Sequence, residues 1–139
     1  MIFSNIENFS FLYELNTRWK DIDSFGHVNN AVFLTYIEDA RISFFKRWSL
    51  DGRKRSIIMV SVKMDYHQQV GHPSSLVVGQ RISRLGKTSF DIHSVVFIKD
   101  DPQPAAAAVV SAVCFDYETN KSVPLYPEIK ADFQQKKTS

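Results

Sequence analysis

A single cysteine, no long apolar run and almost no excess charge set the first limits on this 139-residue chain. With Cys114 alone, no intrachain disulfide can form and no cysteine-based zinc site can be built within one chain. No stretch approaches the ~18 consecutive apolar residues that a membrane span needs. The opening segment MIFSNIENFSFLYELN lacks a basic n-region and is interrupted by Asn5, Glu7 and Asn8, so it does not read as a signal peptide. These absences lead to the expectation of a reducing, cytoplasmic compartment. Seventeen Lys and Arg against fifteen Asp and Glu give a formal charge of +2. The cations are scattered rather than striped, which argues against a nucleic-acid module. What the chain does have is 44% apolar residues with eleven Phe, five Tyr and two Trp, enough for one sizeable core and one domain.

The hydrophobic period changes along the chain. Residues 1–10 are polar and read as ragged, and 11–20 read as a first strand. The run Asp21–Asn30 is dense in Asp, Ser, Gly and Asn and reads as a loop. Asn29 and Asn30 then stand as N-cap candidates before a helix over 31–48. Leu34, Ile37, Ile42, Phe45 and Trp48 recur there at roughly helical spacing, with Phe33 and Phe44 widening the face. Beyond Gly52 the period falls to two. Strands are predicted over 57–66, 76–85, 89–98 and 105–117, with a hairpin turn at Gly86-Lys87 and a possible short edge over 122–126. The four alanines at 105–108 leave local helix as an alternative. The tail from Lys130 is polar and reads as loose. One strand, one long helix and four or so antiparallel strands predict an α+β fold, a sheet wrapped around a single helix.

The segment Arg18–Asn30 holds most of the chemistry. It places two carboxylates and an imidazole in a loop that feeds a helix N-terminus, whose first N–H groups lack intrahelical partners and carry partial positive charge. Such a tip can stabilise an oxyanion, and Asp23 is close enough in sequence to sit beside it. A carboxylate there suits acyl transfer, as nucleophile or as base for water. The competing reading is two loop carboxylates and an ordinary cap.

The run DIDSFGHVNNAVFLTYIEDAR resembles the signature of hotdog-fold acyl-CoA thioesterases of the 4-hydroxybenzoyl-CoA thioesterase-like family. Asp21, Asp23, Gly26, His27, Val28, Asn29, Asn30, Tyr36, Glu38 and Arg41 match a pattern of the form D-x-D-x-x-G-H-V-N-N-x-x-Y-x-x-Y-x-E-x-x-R. Asp65-Tyr66, Leu85–Ser89 and Val113–Asp116 add weaker likeness, so that residues 11–128 are covered. The resemblance implies a hotdog fold, a homodimer or homotetramer with a continuous sheet, hydrolysis of an acyl-CoA thioester, and no metal or other cofactor. It implies Asp23 as the catalytic carboxylate and the backbone N–H near Asn30 as the oxyanion donor. Lys87, Thr88 and Ser89 are implied to contact CoA phosphate, in some cases across the dimer interface. Phe33 departs from the pattern, since a Tyr usually stands there.

Other residues carry expectations of their own. His27 is open between orienting Asp23, binding substrate, polarising the carbonyl and bonding to backbone as a loop imidazole. Phe33, Ile37 and Val60 are expected against the acyl group. Arg81 and Arg84 are possible phosphate partners, but their spacing of three puts them on opposite faces of a regular strand. Glu38 and Arg41 read as an i,i+3 ion pair. His67, His72 and His93 lack zinc spacing, and Cys114 reads as a buried thiol. Release of acyl groups from acyl-carrier protein, or acyl binding without turnover, are the alternative functions.

Overall fold

The computed structural model describes residues 5–138. Five strands form one antiparallel sheet in the order β1-β3-β4-β5-β2: β1 (Phe11–Asn16), β2 (Ser56–Tyr66), β3 (Ser75–Leu85), β4 (Ser89–Ile98) and β5 (Pro104–Asp116). A two-residue β6 (Lys121–Ser122) pairs with the end of β5, which is all that forms of the edge expected over 122–126. Helix α1 (Asn30–Phe45) lies on the inner face of this curled sheet and runs into a 3₁₀ turn, Lys46–Trp48. The predicted α+β hotdog architecture is present.

Helix α1 buries Phe33, Tyr36, Ile37, Ala40 and Phe44, with Trp48 one turn beyond. This face meets Leu76 and Val78 of β3, Val96 of β4 and the small Ala105, Ala106 and Ala108 of β5. The alanine run is therefore strand. Its small side chains leave room for the helix aromatics, and small opposite large fills a core without voids. Near the other end of α1, Phe44 and Trp48 pack with Ile82, Phe90, Ile92 and Cys114. Burial pushes the Cys114 thiol up, which leaves it a poor nucleophile. Gln80 reaches from β3 to donate to the Ile37 carbonyl at 3.2 Å, which ties the helix axis to the sheet.

Several sequence expectations are corrected. The first strand stops at Asn16, and residues 19–21 form a 3₁₀ turn. Leu34 and Ile42, expected in the buried stripe, are exposed, Leu34 on the side of α1 that faces edge strand β2. The tail does not begin a loose segment at Lys130, because residues 127–138 form helix α2 (Pro127–Thr138). Ile129 is fully buried, and the Asp132 carboxylate accepts from Trp48 Nε1 at 2.8 Å and Arg47 Nη2 at 2.7 Å. Polar composition concealed these anchors. At the other end, residues 1–4 lie outside the described residues. Residues 6–8 form a 3₁₀ turn, and Phe9 lies on the outer face of the sheet, where a Cβ at Gly79 would meet its ring at 2.7 Å.

Candidate active site

The loop before α1 is held by its own polar groups. The Asp23 N–H donates to the His27 carbonyl at 2.8 Å. The Asp23 Oδ1 accepts the N–H groups of Phe25 at 2.9 Å and His27 at 3.2 Å. Gly26 sits at φ 84, a left-handed conformation that favours glycine, and closes this turn. Val28 N–H donates to the Val70 carbonyl at 2.8 Å and pins the loop to the segment before β3.

Beneath the turn lies Asp21, the most buried carboxylate of the loop at 1% exposure. It accepts from the Tyr36 hydroxyl at 2.6 Å, the Arg18 N–H at 2.9 Å and Arg18 Nη2 at 2.8 Å. Its carbonyl accepts the Asn29 N–H at 2.9 Å. Burial pushes the Asp21 carboxyl up, yet the Arg18 and Tyr36 bonds outweigh it and hold the group below the usual carboxylate range. Burial, together with the Asp21 carboxylate, pushes the Tyr36 phenol up. Asp21 thus fixes the entry to α1 from one side and the Asn29 cap from the other. In sequence Asp21 and Tyr36 stand only as pattern matches, because a carboxylate and a tyrosine fifteen residues apart carry no spacing signal that they meet.

At the helix tip, Asn29 Oδ1 accepts the Ala31 N–H at 2.9 Å, and the Asn29 carbonyl accepts Val32 N–H at 2.9 Å. The intervening Asn30 N–H has no acceptor among the described residues. A capped helix start with one donor left over is suited to a ligand oxygen. Tyr66, at the end of β2, donates its hydroxyl to the Asn30 carbonyl at 2.9 Å, and its ring meets Phe33 edge-on at 5.8 Å. In sequence Tyr66 reads only as a strand end.

Asp23, His27, Asn30, Phe33, Tyr66 and His67 share one cleft of about 490 Å³. Asp23 Oδ2 accepts no hydrogen bond among the described residues, and the His27 ring makes none. The fold therefore brings together the carboxylate, the imidazole, the helix tip and Phe33. Ile37 does not join them: it is fully buried in the core, because it falls on the face of α1 turned to the sheet. Val60 lies in a second groove of about 390 Å³ between α1 and β2, with Leu34, Glu38, Arg41 and Val62. The Glu38–Arg41 pair forms at 3.5 Å on its wall.

Arg84, Lys87, Thr88 and Ser89 lie at the opposite end of the sheet. Ser89 pairs with Val113, and Val113 with Ile58 near the start of β2, whereas the cleft adjoins Tyr66 at its end. At about 3.3 Å per residue, the two ends of β2 are ~30 Å apart. The Arg84 guanidinium is already spent on Asp91, with Nε at 2.8 Å from a carboxylate oxygen, and its Nη2 donates to Ser89 Oγ at 3.1 Å. A bulge between Ile82 and Arg84 adds one residue to β3. Arg81 and Arg84 therefore face His93 and Asp91 on one side of the sheet, not opposite sides. His72 is bound through Nδ1 to Thr17 Oγ1 at 2.8 Å. Among the described residues no group of three or more His, Cys, Asp or Glu is placed to hold a metal ion, and no helix is long and apolar enough to cross a membrane.

A family model for the thioesterase-like superfamily matches residues 17–133, which includes the whole cleft. The chain belongs to that superfamily. It is a thioester hydrolase by this membership, and several of the proteins it resembles are named thioesterases. Long-chain acyl-CoA thioesterase FadM of Escherichia coli is 23% identical over 127 residues, covering 88% of this chain and 96% of that one. The PA2801 protein of Pseudomonas aeruginosa, a putative thioesterase, is 28% identical with a TM-score of 0.82, over 88% of this chain and 97% of its own. A Thermus thermophilus thioesterase solved with coenzyme A and Zn is 29% identical with a TM-score of 0.80, over 96% of this chain and 98% of its own.

Proposed function

We propose that this thioester hydrolase acts on acyl-CoA, with the thioester carbonyl bound at the Asn30 N–H and Asp23 as the catalytic carboxylate. The observation that carries this reading is the shared cleft: an uncommitted carboxylate oxygen and an uncommitted helix-tip donor open onto the same space. A thioester is electrophilic and its thiolate leaves readily, so the protein needs few groups. The helix tip takes the charge that develops on oxygen; one such donor is worth on the order of 10²–10³ in turnover. Asp23 Oδ1 is fixed by the loop, which leaves Oδ2 to attack the carbonyl and expel the thiolate as an anhydride that water then opens, or to take a proton from the water that attacks. His27 lines the same cleft, and in this reading it hands a proton to the departing sulfur. Support for CoA as the carrier comes from the names of FadM and of the coenzyme A-bound Thermus protein.

The acyl chain takes the second groove, whose wall is Leu34, Val60 and Val62. These side chains are exposed on one protomer, at 40%, 58% and 47%. An apolar stripe along a long, otherwise unpaired edge strand is suited to a second copy of the chain. Antiparallel pairing of two β2 strands would set the partner's copy of the Lys87–Ser89 hairpin toward the Tyr66 end of this strand. That is how a hairpin too distant from its own cleft can reach a phosphate of a bound CoA.

Thiol release from short, long and aromatic acyl-CoAs, each compared with the same acyl group on acyl-carrier protein, tests the assignment. Turnover on CoA substrates is the predicted result. Saturable binding without thiol release would contradict it, and a strong preference for the carrier protein would replace CoA as the substrate.

A further inference from the structure

Five arginines of the chain face a carboxylate: Arg18, Arg41, Arg47, Arg55 and Arg84 each form an ion pair. Arg81 is different. It is only partly exposed, forms no ion pair among the described residues, and its buried Nε donates to no acceptor there. Burial lowers its affinity for its proton, with no neighbouring anion to oppose that. The ring of Phe9 lies 5.9 Å from its guanidinium carbon, and His93 stands opposite it on β4. A guanidinium withdrawn from water and left without a counter-ion is costly unless something anionic visits it.

The sheet register says what surrounds it. Arg81 pairs with His93, His93 with Val109, and Val109 with Lys63, so one row crosses β3, β4, β5 and β2 on the outward face. At ~4.8 Å between strands this row spans about 14 Å. It lines a groove of about 420 Å³ floored by Ala107, Ala108 and Val109. Lys63 is engaged by Asp65 at 3.1 Å, an exposed pair that exchanges readily. His67 lines this groove and also the catalytic cleft, so the two are contiguous around the end of β2.

We infer that the Arg81–His93–Lys63 row is a phosphate-binding site on the outer face of the sheet. The arginine fork can grip two phosphate oxygens, and the lysine can swing from Asp65 to a third. The small residues of the floor let the phosphate approach the strands. Two bearers share this chemistry: the nucleotide end of a CoA held in the cleft and reaching past His67, or a separate small phosphate. The first deepens the acyl-CoA reading and rests on it; phosphate binding itself does not.

The test is calorimetric titration of the full chain with adenosine 3′,5′-bisphosphate and with inorganic phosphate. Wild type is compared with Arg81→Gln and with Lys63→Gln, whose exposed position spares the fold. The site predicts binding to wild type that weakens about tenfold in either variant with unchanged circular dichroism. If CoA is the bearer, free CoA displaces the bisphosphate, and both variants raise KM for acyl-CoA at constant kcat. If a separate phosphate is the bearer, binding survives saturation with CoA and KM stays put. Wild-type affinity retained in both variants, or no heat with wild type up to about 10 mM of either probe, overturns the inference. Absence of thiol release from every acyl-CoA would defeat the acyl-CoA reading while leaving the titration interpretable.

Discussion

At the scale of single residues, the site depends on two carboxylates with opposite duties. Asp23 is open to the cleft and is the group proposed to act on substrate; Asp21 is buried and holds the loop. Replacing Asp21 by Asn keeps the shape but removes the charge that Arg18 and Tyr36 bind. The folded-state pKa of Asp21 is depressed, so its contribution to stability is present above the unfolded value and is lost as pH falls through the folded one. Wild type is therefore expected to lose urea resistance below about pH 4, and Asp21→Asn to be weaker at neutral pH with a flatter acid limb. Parallel pH curves for the two proteins would contradict this role. Gly26→Ala is expected to cost about 1 kcal/mol, because its φ of 84 strains any side chain, although nothing lies within 4 Å of the new methyl. Urea midpoints at equal slope would measure it.

At the scale of elements, α1 is held to the rest by two kinds of contact, an apolar face and a polar clasp at its end. The clasp is Asp132 of α2 against Trp48 and Arg47. Asp132→Ala leaves a buried indole N–H without an acceptor and should cost about 2–3 kcal/mol, read from equilibrium unfolding. A loss within experimental error would show that α2 is dispensable. Much of the architecture was legible in sequence because period and punctuation agreed: Asn29 caps the helix as its position suggests, and β2 to β5 begin and end within a residue or so of their predicted bounds. What escaped depends on neighbours that sequence spacing does not contain. A bulge at Ser83 turned Arg84 onto the face of Arg81. Ile37 went to the core and not to the cleft because the sheet, not the ligand, covers its side of α1. Helix α2 looked like tail because its few anchors, Ile129 and Asp132, stand among lysines and glutamines.

At the scale of the whole molecule, one protomer supplies the carboxylate and the helix tip but keeps its Lys87 hairpin at the far end of the sheet. Pairing through β2 would complete the site, and it makes a sharp prediction. Val60→Glu with Val62→Glu should place charges on the covered stripe, give a monomer by sedimentation, and remove turnover without unfolding the chain. In a mixture of Asp23→Asn and Lys87→Ala proteins, heterodimers would carry one wild-type site each and regain activity that neither parent shows at low substrate. A monomeric wild type with full turnover, or no recovery on mixing, would contradict a shared site.

The most direct test of the account is the turnover of Asp23→Asn on an acyl-CoA that wild type hydrolyses. Asn keeps the Oδ1 acceptor that the Phe25 and His27 N–H groups use, so the loop should stand while the nucleophile or base is gone. The account predicts an intact circular dichroism spectrum and a fall in kcat of about 10³ or more. A kcat within a few-fold of wild type would show that the carboxylate in this cleft does not carry the chemistry.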